Sequence, residues 1–229
     1  MGRTQRNVRP GRSSLVYSVP EAPLMAAPTL TPTRPKSRAR RAGEVPRQRT
    51  YTFDELFAME DEGIAFELDA EGHLEERPMG ALSSYVGGRT LVKITLWSDE
   101  GDRGAVFPAD ISLALWPQTP KMLRRSDVCF ISQDRLPSGE IPSGVLRVAP
   151  ELVVEVVSPH DIAEVLERKI AEYFGGGVHL VWVIYPEQRR AIVRRSNGTA
   201  SVVGAEGLLE GEDVLPGFSV RLADLLPKK

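Results

Sequence analysis

Leu152-Val-Val-Glu-Val-Val157 is followed by a helical pattern and then by Val178-His-Leu-Val-Trp-Val-Ile-Tyr185. These three segments together determine the fold. Both apolar runs are rich in β-branched residues, which favour buried strands. The residues between them, with Gly175-Gly-Gly177 as the predicted end, suffice for a helix of about 16 residues, long enough for a crossover between parallel strands. Ser158 as N-cap, Pro159 at the first helical position and Asp161 in the first turn predict where that helix begins. We therefore predict an α/β protein with a central mixed β-sheet flanked by helices.

The rest of the body adds shorter elements around this unit. Thr52 and Glu55 form a capping-box pattern that predicts a short helix. After this helix we expect two hairpins, two helices and two strands. Their order is hairpin 64–76, helix 81–96, strand 105–115, strand 127–131, hairpin 190–203 across Asn197-Gly198, and a short helix near 222–226. The residues of helix 81–96 available for burial are Leu82, Tyr85, Val86, Leu91 and Ile94.

The charges divide the chain into three parts that the total of -2 conceals. Residues 1–50 hold 11 basic and 2 acidic side chains and 7 of the 18 prolines, so we predict a disordered basic tail and, over 51–229, a single domain. Residues 51–77 hold 10 acidic side chains and one arginine, and the remainder is nearly neutral. The lone cysteine, Cys129, excludes a disulfide framework and a cysteine-based zinc site. No apolar run approaches the roughly 20 residues of a spanning helix, so we expect no membrane association and a cytoplasmic location.

Glu155 is the first candidate for chemistry because it interrupts five aliphatic residues of a strand predicted to be buried. A buried carboxylate needs compensation, which a metal ion, a buried lysine or arginine, or an edge position open to water would provide. Lys169 lies within the apolar stripe of the following helix, three and four residues from its apolar neighbours Leu166, Val165 and Tyr173. It can therefore either approach Glu155 or extend its ammonium to solvent from the margin of the stripe.

Asp127 is the third candidate, at the start of a strand that we expect beside the one bearing Glu155. A carboxylate in that position can share a divalent cation with Glu155, and Mg²⁺ prefers a few carboxylates together with waters and phosphate oxygens. The alternative is a turn or capping residue.

The order of these segments resembles the Uma-type family of predicted restriction endonucleases, which is assigned to the PD-(D/E)XK nuclease superfamily. The resemblance extends over residues 51–226, and its main segments are Ser126-Asp-Val-Cys-Phe-Ile131, Ala149-Pro-Glu-Leu-Val-Val-Glu-Val-Val-Ser-Pro159, Glu167-Arg-Lys-Ile-Ala-Glu-Tyr-Phe174 and Gly177-Val-His-Leu-Val-Trp-Val-Ile-Tyr-Pro186.

The resemblance implies a restriction-endonuclease-like core that hydrolyses DNA phosphodiester bonds with Mg²⁺ or Mn²⁺. Asp127 and Glu155 would be the metal ligands, and Lys169 would complete the catalytic set from the helix, because Val157 occupies the position of the superfamily's usual lysine. DNA is the implied partner, and a homodimer is left open. Tyr185 departs from the aspartate that the family usually has before the proline.

Six arginines could either contact DNA phosphates without specifying sequence or be solvated charges at strand edges: Arg124, Arg125, Arg189, Arg190, Arg194 and Arg195. Two other functions stay open. The Tyr185 departure and the acidic segment 51–77 are the reasons to consider a non-catalytic nucleic-acid-binding or regulatory protein on the same fold. In an interaction module, the Glu155–Lys169 pair would be purely structural.

Overall fold

The computed structural model describes residues 49–60, 66–76, 80–159 and 161–228, which hold three α-helices, three short 3₁₀ helices and ten strands; the predicted helix near 222–226 is the 3₁₀ helix Leu222–Asp224. The predicted tail lies outside these ranges except for its last two residues, and the prediction of a single domain over 51–229 stays a prediction. In chain order the elements are α1 (Phe53–Glu60), β1 (Phe66–Leu68), β2 (Leu74–Glu76), α2 (Ala81–Asp99), β3 (Gly104–Phe107), β4 (Val128–Ser132), β5 (Leu152–Val156), α3 (Ala163–Gly175), β6 (Leu180–Tyr185), β7 (Arg190–Arg195), β8 (Ala200–Gly204), β9 (Leu208–Glu210) and β10 (Ser219–Arg221).

The central sheet has six strands in the order β3-β4-β5-β6-β7-β8. Strands β5 and β6 are parallel, with Glu155 beside Val183, and the other neighbours are antiparallel. Helix α3 connects the parallel pair, as a crossover must. The predicted mixed α/β fold with a central mixed sheet is confirmed. None of the helices in the described ranges combines the length and apolarity that crossing a bilayer requires.

The two faces of the sheet are covered by different helices. On β5, Val154 and Val156 belong to the apolar core that includes Val86 of α2. Val153 belongs to the opposite core, together with Ile170 and Tyr173 of α3. Because side chains alternate along a strand, Glu155 lies on the α3 face.

Helix α3 begins later than the sequence predicts, at Ala163 rather than at Pro159, and Ile162 occupies the N-cap position. The Ser158 amide donates to Asp161 Oδ2 at 2.7 Å and the Asp161 amide donates to the Ser158 carbonyl at 3.1 Å, so the predicted start signals form a separate turn before the helix. The predicted end is correct. Gly177 has a φ of +94° there, which suits glycine.

Other boundaries also differ. Strand β3 ends at Phe107, not at Leu115, because the following Pro108 has no amide to donate to a ladder. Helix α2 continues to Asp99, and Tyr85, which we expected to be available for burial, is 47% exposed. The capping box of α1 is confirmed: the Thr52 amide donates to Glu55 Oε2 at 3.0 Å and the Glu55 amide donates to Thr52 Oγ1 at 3.2 Å.

Candidate active site

Glu155 lies in the interior and is held by α3. Its carboxylate is in a residue only 6% exposed, and Lys169 Nζ lies 3.1 Å from Glu155 Oε1. The Tyr173 hydroxyl donates to the same oxygen at 2.7 Å and also lies 3.0 Å from the Arg125 carbonyl oxygen. The structure thus brings Glu155 and Lys169 together, and a lysine is the compensation that the buried carboxylate requires.

Asp127 lies one residue before β4, beside the end of β5. Its amide donates to the Val154 carbonyl at 3.0 Å, and its Oδ2 accepts a hydrogen bond from the Val156 amide at 2.6 Å. These two bonds fix the carboxylate next to the residue that follows Glu155. Asp127, Glu155 and Lys169 line the same cavity of about 510 Å³.

Glu67 lies beside Glu155 and Lys169 in this cavity, although no sequence pattern predicts it as a site residue. It is 5% exposed in β1, and its Oε1 lies 2.8 Å from Lys169 Nζ and accepts a hydrogen bond from the Arg125 amide at 3.2 Å. Lys169 therefore bridges two buried carboxylates. The signal was present as Phe66-Glu-Leu68, an acidic residue between two apolar ones, but it stood within an acidic segment where it was inconspicuous.

Arg124 is buried and does not face solvent, which contradicts its predicted role in contacting DNA. Its Nε and a terminal nitrogen donate to Glu172 at 2.6 and 3.0 Å, and it also pairs with Glu67 and Glu75. Burial alone would lower the pKa of Arg124, but the hydrogen bonds that Arg124 donates to Glu172 and the neighbouring carboxylate charges outweigh burial and raise the pKa. Arg125 is only 4% exposed and donates to Ser112 Oγ at 3.0 Å, so its predicted DNA contact is wrong for the same reason.

The other predicted phosphate-binding arginines, on and near β7, have partners within the chain. Arg194 donates to Glu167 at 2.8 Å, Arg195 pairs with Glu212, and the Arg190 guanidinium lies over the Tyr185 ring at 5.2 Å. A role for them in DNA binding stays a prediction.

The cavity carries an excess of negative charge. Five carboxylates line it (Glu67, Glu75, Asp127, Glu155 and Asp161), and among the described lining residues Lys169 is the one cation. Carboxylate oxygens are hard ligands of the kind that Mg²⁺ and Mn²⁺ take, and an anionic wall favours a cation over a phosphate. The cavity therefore holds donors of the type that a divalent ion takes.

A second acidic group, Asp69, Glu71 and His73, lies at the β1–β2 turn outside this cavity. Asp69 Oδ1 accepts hydrogen bonds from the Glu71 and His73 amides at 2.9 and 2.8 Å. Partial burial would raise the pKa of Asp69, but these hydrogen bonds and the nearby His73 outweigh burial and lower it. The ligand atoms of the three side chains all lie within 4.8 Å of one another, so this group could hold a metal ion as well as form the turn.

Comparison with known proteins identifies relatives of the whole body of the chain. A family model described as "Uma2: Putative restriction endonuclease" matches residues 53–223. A crystal structure of a putative nuclease belonging to DUF820 from Anabaena variabilis ATCC 29413 is 19% identical, with a TM-score of 0.65 over 76% of this chain and 97% of the other. No curated protein matches the chain. At this identity the crystal structure supports the fold.

Proposed function

We propose that this chain, which belongs to the Uma2 family of putative restriction endonucleases, is a divalent-metal-dependent DNA endonuclease whose reaction centre is formed by Asp127, Glu155 and Lys169. One observation carries the proposal. Lys169 from α3 lies 3.1 Å from Glu155 of β5, in a cavity that Asp127 also lines. Three separate segments thus bring together the acid, acid and lysine that nuclease chemistry at a phosphate uses.

Asp127 and Glu155 are the residues that would hold Mg²⁺ or Mn²⁺. When bound, such an ion supplies charge stabilisation at the phosphate and lowers the pKa of a coordinated water. The chain's own contribution is to fix the carboxylates: the Val156 amide orients Asp127, and the Tyr173 hydroxyl orients Glu155.

Lys169 would orient the attacking water or neutralise charge that develops at the phosphate. Its ammonium has three donors, and Glu67 and Glu155 accept from it on two sides. Because both acceptors are buried, the position of the ammonium is set by the fold and needs no reorganisation during the reaction.

Cleavage of supercoiled plasmid and of oligonucleotides with Mg²⁺ or Mn²⁺, against EDTA, tests the proposal. We expect Asp127→Asn, Glu155→Gln and Lys169→Met each to reduce cleavage at least roughly 10²-fold, as the loss of one preorganised electrostatic group does. The matched control is Glu187→Gln, an exposed carboxylate outside the cavity. Equal cleavage by wild type and Glu155→Gln would indicate a contaminating nuclease and remove the assignment.

A non-catalytic nucleic-acid-binding protein is the second candidate, favoured by the hydrogen bonds that Glu155 already accepts from Lys169 and Tyr173. Such a protein would retain DNA in a salt-dependent manner without forming product, and Mg²⁺ would not raise its melting temperature. A melting-temperature increase with Mg²⁺ that disappears in Asp127→Asn would exclude it. A homodimer and a cytoplasmic location stay predictions.

A further inference from the structure

We propose that the cavity binds one unstacked base of the strand being cut, so that the substrate is single-stranded or locally unpaired DNA. The inference rests on the proposed nuclease function and names its substrate class. The observations concern the part of the cavity wall that is not formed by the carboxylates and Lys169. This part consists of the Gly87–Gly88 segment of α2 and the apolar residues at the start of α3.

Neither glycine of α2 is demanded by the fold. Gly87 and Gly88 are not among the described glycines that have a positive φ. A Cβ at Gly87 would meet Asp127 Cβ at 3.7 Å, an ordinary contact, and a Cβ at Gly88 would meet nothing within 4 Å. Yet adjacent glycines in a 19-residue helix disfavour it by about 1 kcal/mol each relative to alanine. Their effect is to leave the cavity wall without side chains.

The neighbouring lining is apolar and unusually open to solvent. Ile162 is 66% and Val165 is 39% exposed, and Leu166 and Leu91 line the same cavity. Exposed apolar side chains beside a catalytic centre are typical of ligand-contacting surfaces. Aliphatic side chains and bare backbone offer a flat face to a base, and pockets that take extruded bases hold them between aromatic or apolar side chains.

The charge of the cavity lining also favours an unpaired base over intact duplex. A protein that grips intact duplex does so chiefly through lysine and arginine contacts to phosphates. The described residues lining this cavity include five carboxylates and a single cation, Lys169, which is already paired with Glu67 and Glu155. Affinity inside the cavity must therefore come mainly from bound metal and from apolar contact. A volume of about 510 Å³ falls within the roughly 300–1,000 Å³ of pockets that bury small organic ligands.

Gly88→Leu tests this inference because an added Cβ at Gly88 meets nothing within 4 Å and the leucine side chain would occupy part of the cavity. We expect the variant to melt at or above the wild-type temperature, since leucine is a far better helix former than glycine. It should bind a single-stranded oligonucleotide at least about 5-fold more weakly, which is the low end of the range for losing one stacked base because the described lining is aliphatic rather than aromatic. Gly175→Leu is the matched control: Gly175 is also an exposed helical glycine whose added Cβ would meet nothing within 4 Å, and it lies outside the cavity.

Binding is measured by fluorescence anisotropy with Ca²⁺ in place of Mg²⁺, and cleavage with Mg²⁺, on three substrates of one sequence: single strand, blunt duplex, and duplex with a central unpaired bubble. The expected result is preference for the single strand and the bubble, lost in Gly88→Leu and kept in Gly175→Leu. Equal use of duplex and single strand, or normal binding by Gly88→Leu, would overturn the base-binding inference while leaving the nuclease proposal intact. Selective binding that Gly88→Leu abolishes, without cleavage of any substrate, would support base binding and remove the nuclease proposal. Absence of both binding and cleavage would overturn both.

Discussion

Replacing Lys169 with methionine measures how strongly the buried ammonium stabilises the fold. The substitution leaves Glu67 and Glu155, which are 5% and 6% exposed, without the cation that bridges them at 2.8 and 3.1 Å. At an effective dielectric constant of about 20, each contact represents an attraction of about 5–6 kcal/mol before desolvation is subtracted. Breaking a buried pair by removing one partner typically costs about 3–5 kcal/mol, because the remaining charge is stranded.

Urea unfolding at neutral pH in EDTA gives the free energy directly, and we expect Lys169→Met to lose about 3–5 kcal/mol. Lys93→Met, which removes an exposed lysine of α2, is the matched control and should change the free energy by no more than about 0.5 kcal/mol. Saturating Mg²⁺ should recover part of the loss, because a cation that binds the native state supplies the missing charge. A loss below about 1 kcal/mol in EDTA would refute the reasoning, since it would mean that Glu155 is compensated chiefly by the Tyr173 hydroxyl.

Three further outcomes are expected. Arg124→Met should lower the free energy of unfolding by about 2–3 kcal/mol in urea titrations, because it removes the charge-assisted hydrogen bonds to Glu172 and the ion pair with the buried Glu67, which keeps Lys169; a loss near zero would show that water reaches these groups. The Cys129 thiol, whose pKa burial raises to about 12, should resist a thiol-specific reagent at pH 8 in the native state and react on unfolding, whereas native labelling would contradict its burial. The pKa of Asp69 is lower in the folded state, so its carboxylate stabilises the fold above the unfolded pKa near 3.8, and this stabilisation is lost as pH falls through the folded pKa. The difference in unfolding free energy between wild type and Asp69→Asn should therefore shrink below about pH 4. A difference that stays constant with pH would contradict this prediction.

The β5–α3–β6 unit and the Glu155–Lys169 approach could be predicted because each depends on local patterns. Alternation fixes the face of Glu155, helical spacing fixes the face of Lys169, and a parallel crossover brings the two faces together. The capping box at Thr52 was predictable for the same reason, since its partners are three residues apart.

The contacts of Arg124 and Glu67 could not be predicted, because they join segments 48 to 102 residues apart. A cluster of basic residues before a strand is typical of an exposed patch, and nothing local shows that the β1–β2 hairpin covers it. The late start of α3 was missed because Ser158 and Asp161 satisfy each other's backbone in a turn, which uses the same residue types as a helix N-terminus.

The position of the lysine has a consequence for how the site is controlled. In the usual pattern of the superfamily that the sequence resembles, the lysine lies two positions after the acidic residue, so one strand carries both groups. Here Val157 occupies that position, and Lys169 reaches the same face of the sheet from α3. The helix is docked by Arg124 on Glu172 and by the Trp116 indole, which donates to the Glu172 carbonyl at 2.9 Å. Any change that shifts α3 therefore separates the lysine from the carboxylates, which a lysine on the strand would not experience. Under the proposed nuclease function, the contacts of α3 with Arg124 and Trp116 should therefore affect cleavage as well as the proposed residues Asp127, Glu155 and Lys169 do.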